Sequence, residues 1–149
     1  MKSLVPAEFD VPSRLEHELF LLRPLCISDV IKDYDAVMSS VAHLQGVFGA
    51  GSNWPAPDLT LEQDLIDLGW HHKEFQRRSS FAYTVTSRDE CLCLGCAYIY
   101  PSRAAGYDAD AYCWVRASHV AALDAVLWGT FESWLAASWP FRRVRFPGR

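Results

Sequence analysis

Hydrophobic residues along this chain alternate in some stretches and recur at helical spacing in others, and the switches between the two periods mark its elements. Residues before about Glu16 are punctuated by proline and predict an irregular segment. Leu19-Phe-Leu-Leu-Arg-Pro-Leu25 is a short apolar run closed by proline, a first strand. Ser28 is placed to cap a helix whose stripe is Val30, Tyr34, Val37 and Val41, with Ile31 and Met38 beside it. Gly46 to Pro57 holds three glycines and two prolines and must be loop. Thr60-Leu-Glu-Gln63 matches a capping box, and Leu61, Leu65, Leu68, His72 and Phe75 form the predicted buried face of a second helix.

Ser80 to Thr86 then reads as a strand, Ser87-Arg-Asp-Glu90 as a polar hairpin turn, and Cys91 to Tyr100 as the returning strand, ended by Pro101. Gly106 closes a loop before the alternating, β-rich run Tyr107 to Arg116. Leu123, Val126, Leu127, Thr130, Phe131 and Trp134 recur as one helical face, which Trp139-Pro140 stops. Phe141 to Phe146 makes a last short strand. The predicted order is β-α-α-β-β-β-α-β. Three consecutive antiparallel strands and one strand–helix–strand crossover imply a mixed, mostly antiparallel sheet with helices on both faces, α/β or α+β by class. At 149 residues one domain spanning 1–149 is expected, with 1–16 irregular.

The most informative junction joins the Tyr107 strand to the following helix. A helix N-terminus presents free N–H groups and the positive end of its dipole, which suits a phosphate. Phosphate loops usually carry glycine so that the backbone can approach the anion. Here the connection is Arg116-Ala-Ser-His-Val-Ala-Ala122, with none.

Composition narrows the function classes. A formal net charge of -4 gives no global case for nucleic acid. No apolar run approaches the ~20 residues needed to span a bilayer. Met1-Lys-Ser-Leu-Val-Pro lacks the apolar core of a signal peptide, so a cytoplasmic location is expected. The five cysteines, Cys26, Cys91, Cys93, Cys96 and Cys113, are not a disulfide framework. Strict alternation puts Cys91 and Cys93 on one strand face and Cys96 on the other. One strand cannot by itself converge on a metal, so reduced core cysteines and no metal site are expected.

The ordered set of elements resembles the GNAT superfamily of acyl-CoA-dependent N-acyltransferases. Leu22-Arg-Pro-Leu25 with Ser28-Asp29 looks like the family's opening strand and first helix start. Phe81 to Thr86 with Leu94-Gly-Cys-Ala-Tyr-Ile-Tyr-Pro101 looks like its central hairpin. Tyr112-Cys-Trp-Val115 is similar to the end of its fourth strand, and Leu123 to Leu135 to its cofactor-facing helix. The match runs from about Leu19 to Phe146.

The resemblance implies acetyl-CoA, or another acyl-CoA, as co-substrate between the fourth and fifth strands. Trp114, Val115 and Arg116 would run along its pantetheine, and Ser118, His119, Val120, Ala121 and Ala122 would meet its pyrophosphate. Two departures stand out. The family's phosphate loop reads Gln/Arg-x-x-Gly-x-Gly/Ala, and in the simplest register Arg116, His119 and Ala121 take its defined positions, with His119 replacing a glycine. Family members also usually continue past the fifth strand into elements that help build the acceptor pocket, whereas this sequence ends at Arg149.

The reaction implied needs a base to take a proton from the attacking amine. Asp108 and Asp110 lie two apart on the fourth strand and share a face. His71 lies on the second helix with Asp67 and Glu74 at pairing distance. For each a bland role competes: solvation of a strand end for the aspartates, a surface ion network for His71. Trp114 also fits plain core, and the tail arginines Arg142, Arg143, Arg145 and Arg149 fit either phosphate contact or a solvated edge. The expected function is acyl transfer to a small-molecule or peptide amine. The alternative is an inactive domain of this fold that binds a ligand or protein, and a homodimer through the last edge strand is a further expectation.

Overall fold

A computed structural model describes residues 2–149. Six strands form one sheet in chain order: β1 Leu15–Glu16, β2 Leu21–Pro24, β3 Phe81–Thr86, β4 Cys93–Pro101, β5 Ala109–Val115 and β6 Val144–Arg145. Every neighbouring pair is antiparallel except β5 and β6, which are parallel. The helices are α1 Val30–Met38, α2 Val41–Leu44, α3 Leu61–Gln76 and α4 Val120–Ser138. The mixed sheet and the helix on each face match the predicted class.

Alternation along the strands separates two cores. Phe20, Leu22, Phe81, Tyr83, Val85, Ile99, Ala111, Cys113 and Val115 point to α4, whose Leu123, Leu127, Phe131, Trp134 and Leu135 cover them. Ala82, Cys96, Tyr98 and Trp114 point the other way, under Ala36 and Val37 of α1 and Leu68 of α3.

Four local expectations are corrected. Leu15 and Glu16, placed in the irregular segment, pair with Leu22 and Leu21 as β1. A two-residue strand is too short to show a period. The first helix does not run through Val41. It ends at Met38, because Ser40 leaves the helical path and its Oγ accepts the Ala117 N–H at 2.9 Å. Ser28 is not the cap of that helix either. It lies in a 3-10 turn, Ile27–Asp29, where Asp29 accepts from the Cys26 N–H at 3.0 Å.

The third correction is the buried face of α3. Leu61 and Leu65 are 41% and 42% exposed, while Asp64 and Leu68 are buried and His71 and Phe75 partly so. The inward stripe is therefore 64, 68, 71 and 75, and His72 turns outward to Gln76, 3.1 Å away. Thr60 does cap the helix through the Gln63 N–H at 3.1 Å, but the Gln63 side chain reaches forward to Asp67 instead of back.

The fourth concerns the cysteines. Val85 pairs with Gly95 but Thr86 pairs with Cys93, so one residue of β4 is extra. Such a bulge breaks the two-residue period. Cys93 and Cys96, three apart, consequently share the face under α1. Gly95 is required beside it, since a Cβ there would lie 1.9 Å from the Trp114 carbonyl oxygen.

Candidate active site

β5 pairs with β4 along its whole length, from Ala109 opposite Pro101 to Val115 opposite Gly95. On its other side β6 pairs only with Ala109 and Asp110. From Ala111 to Val115 that edge has no strand partner among the described residues. Two adjoining cavities of about 120 and 220 Å³ lie beside it, sharing Gly46, Val47, Cys113 and Arg149. Val120 and Asp124 of α4 close the end nearest the turn, and Arg149 holds Asp124 at 2.7 Å while covering Trp128.

The turn before α4 is tighter than a phosphate loop with free donors. Ala117–His119 forms a 3-10 turn, and its φ and ψ values require no glycine. The Ala117 N–H is taken by Ser40, and the His119 N–H by the Arg116 carbonyl at 2.9 Å. His119 Nδ1 and Ser118 Oγ lie 2.8 Å apart; Ser118 is exposed and His119 half-buried. Arg116 is buried and turns away from the turn. Its guanidinium donates to the Cys93 carbonyl at 3.1 Å, Asp35 at 3.0 Å and Ser39 at 3.2 Å. The backbone of Trp114 and Val115 runs along the open edge, but both side chains are core, with Trp114 Nε1 donating to Tyr98 Oη at 3.0 Å.

On the α1/α3 face lie two larger cavities, about 480 and 560 Å³, which share Trp70, His71 and Tyr100. Phe48 from the long loop packs against Trp54, Tyr98 and Tyr112 with ring centroids 5.1 to 5.3 Å away. Asp33, Asp64 and Asp67 line the first chamber; Glu74, Asp110, Tyr112 and Arg145 line the second. Tyr112 also reaches the cavity beside β5, so it stands between the chambers and the strand's open edge.

The predicted acid–base residues separate clearly in this geometry. His71 faces both chambers, and burial holds its pKa below the usual 6.5 despite the opposing charges of Asp67 and Glu74. Its ring is therefore largely neutral at neutral pH. Asp110 lines the second chamber but is gripped by Arg145 at 2.6 and 2.8 Å, which lowers its pKa. Asp108 lies outside β5 and lines neither chamber. Its carboxylate accepts the backbone N–H groups of Arg143 and Arg142, which lower its pKa and tie β6 to the sheet. Among the tail arginines, Arg143 lies over Tyr107 and Arg149 pairs with Asp124, so the tail is engaged with the fold.

Asp33 and Asp64 escaped the sequence reading. Each falls inside an apolar helical stripe, Val30-Asp33-Val37 and Asp64-Leu68, and an acid on a buried stripe is the signal that was available. Burial raises both pKa values.

No family model matches the sequence, and no curated protein is matched by it. Solved structures do match. The ribosomal-protein-S5-alanine acetyltransferase from Vibrio fischeri aligns with a TM-score of 0.66 at 14% identity, over 85% of this chain and 67% of its own. The microcin C7 self immunity acetyltransferase MccE, solved with acetyl-CoA and AMP, gives 0.65 at 10% identity, over 85% and 66%. RimL, the ribosomal L7/L12 alpha-N-protein acetyltransferase, solved with coenzyme A, gives 0.62 at 17% identity, over 85% and 67%. This chain thus spans about two thirds of these enzymes. Its fold is the one these acetyltransferases share.

Proposed function

We propose that this domain is an N-acyltransferase that moves an acyl group, acetyl in the simplest case, from acyl-CoA to an amine. The observation that carries the proposal is the edge of β5 left unpaired from Ala111 to Val115, ending at the start of α4. An extended pantetheine arm can add to such an edge as a strand does, through main-chain hydrogen bonds. Solved neighbours of the same fold hold acetyl-CoA or coenzyme A. The residues for the arm are the backbone of Trp114, Val115 and Arg116. Ser118, His119, Val120, Ala121 and Ala122 would meet the phosphates.

The amine would enter from the chambers on the opposite face. Their acidic and aromatic lining suits an ammonium group, small or at the end of a peptide. His71 accepts the ammonium proton, because its buried ring is neutral. Asp110, held ionised in its pair with Arg145, lines the same chamber. The free amine then attacks the thioester carbonyl carbon, the C–S bond breaks, and CoA leaves as its thiol.

A second reading is favoured by the closed phosphate turn, where Ser40 and Arg116 already use two N–H groups. On that reading the fold binds a ligand or a protein partner without transfer. Pairing of two chains through β6 would use a two-residue edge, which offers little ladder. Calorimetric titration with acetyl-CoA and with free CoA, on the wild type and a His119→Gly variant, separates the two readings. Binding that tracks the CoA moiety supports the transferase. No binding by either protein overturns it, and binding only by the glycine variant marks a site that the turn has closed.

A further inference from the structure

We propose that Asp33, Cys93 and Cys96 form a binding site for a thiophilic divalent cation, zinc, buried behind the first chamber, whose lining includes Asp33. The three side chains come from two elements, α1 and the bulged start of β4, and all are buried. Their ligand atoms lie within 4.8 Å of one another. Cys96 Sγ is 3.5 Å from Asp33 Oδ1. Zinc–sulfur and zinc–oxygen bonds of about 2.3 and 2.0 Å at a tetrahedral angle put a thiolate and a carboxylate oxygen roughly 3.5 Å apart. The spacing already suits the ion.

A second, independent feature points the same way. Asp64, 2% exposed, is in contact with Asp33, and its Oδ2 is buried without a hydrogen-bond partner. An unpaired buried carboxylate oxygen is costly. Among the described residues no basic side chain bonds to Asp33 or Asp64. The terminal N–H groups of Arg116 go to Asp35, Ser39 and the Cys93 carbonyl and reach neither acid. Two carboxyls and two thiols thus share a buried space that lacks a counter-charge. A cation would supply it, with Asp64 on the open, chamber side as a fourth ligand or the partner of a bound water.

Cys113 shows what an ordinary core cysteine looks like here. It is nearly as buried as Cys93 but sits on the hydrocarbon face with Ala109, Ala111 and Val115, and burial is the main cause that pushes its thiol up. Cys93 differs: it lies on the polar face, within 4.8 Å of Cys96 and Asp33, and accepts from the Thr84 hydroxyl at 3.8 Å. Soft thiolates select zinc over magnesium or calcium. The ion would displace the thiol protons and the proton shared by the carboxyls, releasing them to solvent.

The test uses the full chain, purified reduced, metal-free, and loaded with zinc or cobalt(II). One zinc per chain retained through dialysis, a thiolate-to-cobalt charge-transfer band, and proton release seen as buffer-dependent binding heat are expected. Cys93→Ser, Cys96→Ser and Asp33→Asn should each abolish the band or weaken binding at least tenfold, while Cys113→Ser leaves it intact. Wild-type protein makes the proposal falsifiable should a core variant fail to fold. Complete loss of zinc on dialysis with no cobalt band overturns it.

Discussion

The two faces of the sheet are built from the same strands and do different work. On β5, Ala109, Ala111, Cys113 and Val115 enter the hydrocarbon core under α4, while Asp110, Tyr112 and Trp114 face the helices α1 and α3. The α4 face is packed with aromatic rings, Tyr83, Trp134 and Trp139 among them. The opposite face buries Asp33, Asp64, Thr84, Thr86 and Arg116. Stability is best served by the first arrangement, since each buried polar group needs a partner to avoid a penalty. A protein that keeps so many polar groups on one face uses that face for chemistry or binding. The α4 face is the foundation and the α1/α3 face the workplace.

The largest effect should come from the point where the faces are stitched together. Gly95→Ala places a Cβ against the Trp114 carbonyl, and backbone at that range cannot step aside without opening the β4–β5 ladder. Circular-dichroism melting should show loss of the cooperative transition or a severely lowered midpoint. A wild-type melt would break the account of the bulge. Next comes the foundation itself. Phe131→Ala removes a fully buried ring and should cost about 3–5 kcal/mol in chemical denaturation. A cost below 1 kcal/mol would show that the α4 face is not the close-packed half.

On the other face the expected loss is of rate. His71→Gln should lower turnover about 100-fold or more, with the melt nearly unchanged. Its pH dependence has a definite sign. Burial depresses the folded pKa below 6.5, with Asp67 and Glu74 opposing, so the neutral ring persists below that pH and activity falls only as the pH drops through the depressed value. Stability follows the same direction. The unfolded chain takes up a proton below about 6.5 while the folded one resists, so stability falls with pH there, and the glutamine variant lacks that part of the fall. An acidic limb unmoved by the substitution would assign the base elsewhere.

How much of this was legible in the sequence follows from the range of the contacts involved. β3, β4, β5 and α4 were readable because their periods are local and long enough to register. His71 was readable beside Asp67 and Glu74, since residues three and four apart on a helix are neighbours by geometry. β1 was not, because two residues carry no period. The α3 register was misread because Leu61 and Leu65 mimic a buried stripe, and only the meeting of Asp64 with Asp33 reveals which side is inward. The bulge at Gly95 is invisible without the partner strands, and it alone decides that Cys93 and Cys96 face together. Arg116 matched the phosphate motif by letter, yet its contacts lie far away in sequence, at Asp35, Ser39 and Cys93.

That last residue gives a sharper test of the comparison. If Arg116 serves the polar face as a brace, Arg116→Ala should cost about 3 kcal/mol, for the hydrogen bonds of a buried charge. Affinity for CoA, measured below the melting range, should change less than threefold. A large loss of CoA affinity with unchanged stability would return Arg116 to the phosphate site.

The smallest effect is the most discriminating. Thr86 is buried on the polar face, and its Oγ1 has no hydrogen-bond partner. An unpaired hydroxyl carries its desolvation cost without return, so replacing it with a methyl of similar shape should be neutral or favourable. Thr86→Val is therefore expected to melt at or slightly above the wild-type temperature, with a stability change within about 1 kcal/mol. The same substitution at Thr84, whose hydroxyl donates to Cys93 Sγ at 3.8 Å, should be no better than neutral and should disturb the cysteine pair. If both valines stabilise equally, the polar groups of this face are interchangeable filler and the division of labour between the two faces fails. If Thr86→Val stabilises and Thr84→Val does not, the polar inventory is selective: the groups around Cys93 are held at a cost in stability, which is what a working site requires.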